Sequence, residues 1–107
     1  MEQEQYTWVA ALCDLPQGDI QCVEFDGKEV LLCHTADGVY AVDNLCSHAE
    51  ARLSDGRLKG QKIFCPLHGG SFDVRDGSPL TRPAMTALTS YPVRVEGDDI
   101  LLAVSND

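Results

Sequence analysis

The stretch "NLCSHAEARLSDGRLKGQKIFCPLHGGSFD", residues 44–73, holds a CxH pair and a CxxH pair on either side of sixteen other residues. Cys46 and His48 make the first pair, Cys65 and His68 the second, in a chain with three histidines altogether. Glycine and proline collect around them, at Gly56, Gly60, Pro66, Gly69, Gly70, Gly77, Pro79 and Pro83. Such residues fix irregular loops and let backbones approach closely, and a loop this long in a small domain must be held by more than its own hydrogen bonds. A metal centre would hold it. Thiolate and imidazole suit zinc and iron, and each pair is tight enough for both members to face one centre. Two arrangements satisfy the four groups. One zinc ion could take them all tetrahedrally as a staple, or a two-iron, two-sulfide cluster could put both sulfurs on one iron and both imidazoles on the other.

Outside this stretch the chain reads as short β-prone runs broken by turn dipeptides. "IQCVEF" and "KEVLLCH" are joined through Asp26-Gly27, "VLLCHT" and "VYAVD" through Asp37-Gly38, and "YPVRVE" and "DILLAV" through Gly97-Asp98, which predicts three hairpins. "TWVAAL" predicts an edge strand, and "QKIFC" and "GSFDVR" two short strands around a loop. Alternation of Tyr91, Val93 and Val95 in "YPVRVE" predicts a strand with one buried face. Helical periodicity is weak, with a single turn at most in "CSHAEARLSDG". The fold class is therefore all-β, a single domain whose frame (about 1–43 and 84–107) carries a loop-rich insert (about 44–83). Cys13, Cys22 and Cys33 read as small core residues, His34 as a strand-end histidine, and Trp8, Tyr40 and Tyr91 as core or edge packing.

The 107 residues suffice for one domain and one monomeric unit, and 44% hydrophobic with 23% charged residues is ordinary for a globular protein. "MEQEQYTW" is acidic where a signal peptide would be basic and then apolar, and no apolar run is long enough for a membrane span, so a cytoplasmic location is expected. Five cysteines, an odd number with no CxxC, argue against a disulfide framework. A net charge of −9 makes nucleic acid a poor partner. That charge is uneven. Residues 44–82 carry six bases (Arg52, Arg57, Lys59, Lys62, Arg75, Arg82) and four acids, a balance of +2, while the rest holds two bases and thirteen acids, a balance of −11. Enzyme readings fail on counting. After His48 and His68 only His34 is left for a mononuclear iron, and there is no GxGxxG or Walker loop for a nucleotide.

"CSHAEARLSDG" and "CPLHGGSFDVRDG" resemble the two cluster-binding loops of Rieske proteins, in particular the small ferredoxins of bacterial aromatic-ring-hydroxylating dioxygenases, and "YPVRVEGDDILL" resembles their final segment. The resemblance implies an antiparallel β sandwich with a cluster-binding subdomain, and one [2Fe-2S] cluster bound by Cys46 and Cys65 on one iron and His48 and His68 on the other, covered by the loop around Pro83. It implies a one-electron carrier, not itself an enzyme, between a flavin-containing NAD(P)H-dependent reductase and a terminal oxygenase. Docking would use the insert's tip, with Leu67, Gly69, Pro83 and Ala84 beside the histidines. Alternatives are a Rieske subunit of a nitrite reductase or other non-aromatic system, and a zinc-stabilised interaction module. A cluster with two thiolates and two neutral imidazoles has zero net charge when oxidised and −1 when reduced, so it accepts an electron more easily than one with four thiolates. High-potential family members add a cysteine to each loop and hydroxyls near the sulfurs; those positions here are Ala51, Leu67, Gly70 and Phe72, so a potential near the low end of about −150 to +300 mV is expected.

Overall fold

The computed structural model describes residues 5–46, 51–67, 69–81 and 86–104; His48, His68, Arg82, Pro83 and Ala84 lie outside the described residues. Among the described residues there are eleven strands: β1 (Thr7–Ala11), β2 (Ile20–Phe25), β3 (Lys28–Thr35), β4 (Gly38–Asp43), β5 (Arg57–Lys59), β6 (Lys62–Phe64), β7 (Ser71–Asp73), β8 (Pro79–Thr81), β9 (Ser90–Tyr91), β10 (Val93–Glu96) and β11 (Asp99–Leu102). They form three antiparallel sheets, ordered β1-β11-β10, β2-β3-β4-β9 and β5-β6-β7-β8. The only helical pieces among the described residues are single 3-10 turns at Leu12–Asp14 and Leu53–Asp55.

The turn dipeptides make the hairpins expected of them. Asp26 and Gly27 both have positive φ (55° and 76°), the type I′ pattern that matches strand twist, and Phe25 pairs with Lys28 across it. Gly97, at φ 63°, turns β10 into β11, and β1 adds to the other side of β11 as an edge.

The middle sheet is covered on both faces. Along β3, Val30 and Leu32 face a core containing Phe25, Ala41, Ile100 and Leu102, while Leu31 and Cys33 face a second core containing Val42, Leu53, Ile63, Phe72 and Val74. All four are fully buried, so the run "VLLC" is continuous because neither face meets water. The fold thus has three layers with β2-β3-β4-β9 at the centre. The third sheet is also tied to the second by Gln61 Nε2, which donates to Asp37 Oδ2 in the β3–β4 turn at 3.0 Å.

Two expectations are corrected. "YPVRVE" is not one strand with a buried face: Pro92 interrupts it, Tyr91 pairs with Ala41 in the middle sheet, and β10 is an edge strand on which Val95 is 42% exposed. Cys13 and Cys22 are exposed, not core residues. Cys13 lies on the 3-10 turn, its N–H donating to Asp98 Oδ1 at 2.9 Å, and Cys22 points outward from the edge strand β2. Cys33 is buried, and burial pushes its thiol up to about 12.

Candidate metal centre

Two loops close at their bases by backbone pairing. The first begins where β4 ends. Asn44 N–H donates to Glu29 O, Leu53 N–H donates to Asn44 O at 2.7 Å, Leu45 bridges Arg52, and Cys46 N–H donates to Ala51 O at 2.9 Å. The Asn44 side chain, wholly buried, completes the clamp. Its Nδ2 donates to Glu29 Oε1 and Ser54 Oγ (both 3.1 Å), and its Oδ1 accepts from Ser54 N–H at 2.8 Å. The second loop leaves β6 and returns as β7, and Cys65 N–H donates to Gly70 O at 2.8 Å across its base. Gly69, at φ 76°, supplies the left-handed turn there.

The two bases touch through a glycine. A Cβ on Gly56, just after the first loop's 3-10 turn, would sit 1.9 Å from Phe64 O, the residue before Cys65. Gly56 therefore lets the chain enter β5 flush against β6, and the two cysteines are brought to one place. Cys46 (6% exposed) and Cys65 (3%) belong to the core shared by the second and third sheets, along with Ala51, Phe72 and Leu88. Neither is in a disulfide. Burial raises the Cys65 thiol, the backbone N–H of Leu67 opposes this by stabilising the thiolate, and a hydrogen bond with the Cys46 side chain raises it further. Two buried thiols within hydrogen-bonding reach, one with a backbone donor aimed at its sulfur, fit a soft metal taking both sulfurs. The donor set therefore fits the iron–sulfur centre as far as the described residues reach.

Beyond the loop bases, Leu88 closes the core around the cysteines. Leu88 N–H donates to Gly77 O, and Gly77, at φ 82°, lies so close to Leu88 that a Cβ would meet Leu88 O at 2.2 Å. Ser71 Oγ, fully buried, donates to Thr81 Oγ1 at 2.7 Å. These contacts hold Thr81 and Leu88 in place. Leu45 (58% exposed) and Leu67 (45%) stand out from the two loops. His34 is remote in role: its Nδ1 contacts Leu15 O at 2.7 Å, a strand-end histidine as expected. The clamp residue Asn44 was missed by the sequence reading, because an asparagine after a strand reads as a turn residue.

The family profile described as "Rieske [2Fe-2S] domain" matches residues 5–92. The ferredoxin component of a naphthalene 1,2-dioxygenase system from Pseudomonas aeruginosa is 42% identical over 102 residues, covering 95% of this chain and 98% of the relative. Among solved structures, the ferredoxin of carbazole 1,9a-dioxygenase from Nocardioides aromaticivorans IC177 is 42% identical, with a TM-score of 0.89 over 94% of this chain and 98% of that one. A complex of reduced oxygenase and oxidized ferredoxin in carbazole 1,9a-dioxygenase contains a chain 32% identical, with a TM-score of 0.86 over 94% of each.

Proposed function

Because the chain belongs to the Rieske [2Fe-2S] domain family and carries one cluster of that type, we propose that it is the ferredoxin component of an aromatic-ring dioxygenase system, located in the cytoplasm and acting as a monomer. It passes one electron at a time from a flavin-containing, NAD(P)H-dependent reductase to a terminal oxygenase. The observation that carries this reading is the facing pair Cys46 and Cys65, each buried at the base of a closed loop within one apolar core. Cys46 and Cys65 would hold one iron, His48 and His68 the other. The bound cluster supplies a one-electron couple, and the chain's own residues set its accessibility and its surroundings. Phe72 and Ala51, where a hydroxyl and a disulfide-forming cysteine would stand in high-potential relatives, are buried and offer no side-chain donor, so the potential falls near the low end of the Rieske range. Leu45 and Leu67, exposed beside the cysteines, give a small apolar contact suited to brief electron-transfer encounters.

The test is the absorption spectrum, and the low-temperature EPR spectrum after dithionite reduction, of protein purified without added metal, with iron and sulfide assayed. A brown protein with about two irons per chain and lowered g values is expected. A colourless protein holding one zinc would overturn the reading. Reconstitution with reductase and oxygenase separates the dioxygenase role from that of a nitrite reductase subunit.

A further inference from the structure

Most of the chain is acidic, yet one sheet face beside the cluster loops is not. In β5 and β6, Arg57 pairs with Phe64, Leu58 with Ile63, and Lys59 with Lys62. Ile63 is fully buried, so Arg57, Lys59 and Lys62 share the opposite, outer face, and all three are exposed. No carboxylate among the described residues lies within ion-pair distance of any of them; the ion pairs formed are Arg52–Glu29, Arg75–Asp73 and Arg94–Glu96. Asp73, opposite Lys62 in register, is held instead by Arg75 Nη2 at 2.8 Å. An open cleft of about 500 Å³ runs from this face toward the loops, lined by Asp55, Arg57, Lys59, Phe64, Cys65 and Pro66. Cations unpaired among the described residues, in a chain of net charge −9, thus border the residue before the exposed Leu67 and the thiol assigned to the cluster.

We propose that the Arg57–Lys59–Lys62 face and its cleft are the docking surface for carboxylates of the electron-donating flavin reductase, which bind the oxidised protein more tightly than the reduced one; this rests on the electron-carrier reading above. A free anion would approach against the field of the whole acidic chain, whereas a carboxylate on a protein already seated at Leu67 is delivered directly to the cations. The sign of the redox coupling selects the donor. When the reductase loses one electron and the carrier gains it, no bond forms, but one negative charge is added beside this face. Attraction to carboxylates then weakens by about twofold for each one about 10 Å away in a water-like dielectric. A donor needs this order, binding the oxidised carrier and releasing the reduced one; an acceptor needs the reverse. By linkage, reductase binding must favour the oxidised state of the carrier by the same factor.

The experiment compares the wild type with R57Q/K59Q/K62Q, whose fold and cluster are checked by an unchanged EPR signal. With NAD(P)H and its own reductase at low salt, KM for the variant should rise several-fold with kcat unchanged. Oxidised wild type should bind the reductase a few-fold more tightly than reduced, with that difference diminished in the variant, and electron delivery to its own oxygenase should not change. An unaltered KM, or a loss confined to the oxygenase step, would overturn the proposal. Oxidation of dithionite-reduced protein by ferricyanide reads the same local charge without a partner and should slow several-fold in the variant at low salt; equal rates would also overturn it. If no flavin reductase reduces the wild type, the carrier reading fails, and the ferricyanide comparison still decides whether the face sets the field at the cluster.

Discussion

Asn44 has no exposed surface, yet its amide makes three hydrogen bonds, to Glu29, to Ser54 Oγ and from Ser54 N–H. Truncating it leaves buried groups unpaired two residues before Cys46. Asn44→Ala should cost about 2–4 kcal/mol in chemical denaturation and lower the iron retained per chain. Tyr91 plays the matching part under β4: its hydroxyl donates to Asp43 Oδ1 at 2.5 Å, and its ring meets Phe25 edge-on at 6.0 Å. Tyr91→Phe should cost about 1.5–3 kcal/mol, as expected for a hydrogen bond to a charged acceptor. Burial, then the bond to Asp43, raises the Tyr91 hydroxyl above its ordinary value of 10.0, and burial raises Cys33 from 9.0 to about 12. Both groups are favoured in the fold as neutral species, so their contribution is complete below the unfolded values and is lost as pH rises. A denaturation series should therefore show stability falling from about pH 9 toward 12. At the acid end Asp73, held by Arg75, and Asp76, held by Ser78, lie below their usual range, and their contribution is lost as pH falls through it. At this scale spacing picks out the Cys and His pairs at once, because the two members of each pair are local in sequence. The hydrogen-bond partners of Asn44 and Tyr91 lie 10 to 48 residues away, and no local pattern encodes them.

Among the elements, the β5–β6 hairpin is the one that brings the loops together, and it depends on Gly56. Gly56→Ala places a methyl 1.9 Å from Phe64 O, against backbone that cannot swing aside. The variant should lose at least about 1–3 kcal/mol and bind the cluster incompletely, which an iron assay would read. Gly60→Ala is the contrast: no atom lies within 4 Å of its added Cβ, so only the strain of φ 63° is paid and iron content should be kept. Hairpins were legible wherever Asp-Gly or Gly-Asp separated two apolar runs, and at Asp26-Gly27 and Gly97 the turn takes the left-handed conformation that Gly and Asp tolerate. The strand "YPVRVE" misled because alternation says which residues share a face, not whether that face is covered, and β10 sits at an edge. "VLLC" carried an unread signal. Four consecutive apolar residues in a strand mean burial on both sides, and hence a third layer.

For the molecule as a whole, the acidic majority and the cationic third-sheet face give the carrier a charge asymmetry that orients it in an encounter. Reduction by the proposed flavin reductase should therefore slow as ionic strength rises from about 0.01 to 0.1 M, where the Debye length shrinks from about 30 to 10 Å; stopped-flow rates at several salt concentrations would measure this. The core that contains Cys46 and Cys65 is the same core that joins the middle sheet to the third through Leu31, Val42, Ile63 and Phe72. With iron on those thiols, metal loading and closure of this layer are one event, since binding energy released at a site that forms only on folding is folding energy. A newly made chain that meets no cluster should hold that seam less firmly and be cut there sooner by proteases. On that expectation the cell's supply of iron and sulfide would govern how long the polypeptide survives, and each surviving molecule would be one already fit to carry an electron.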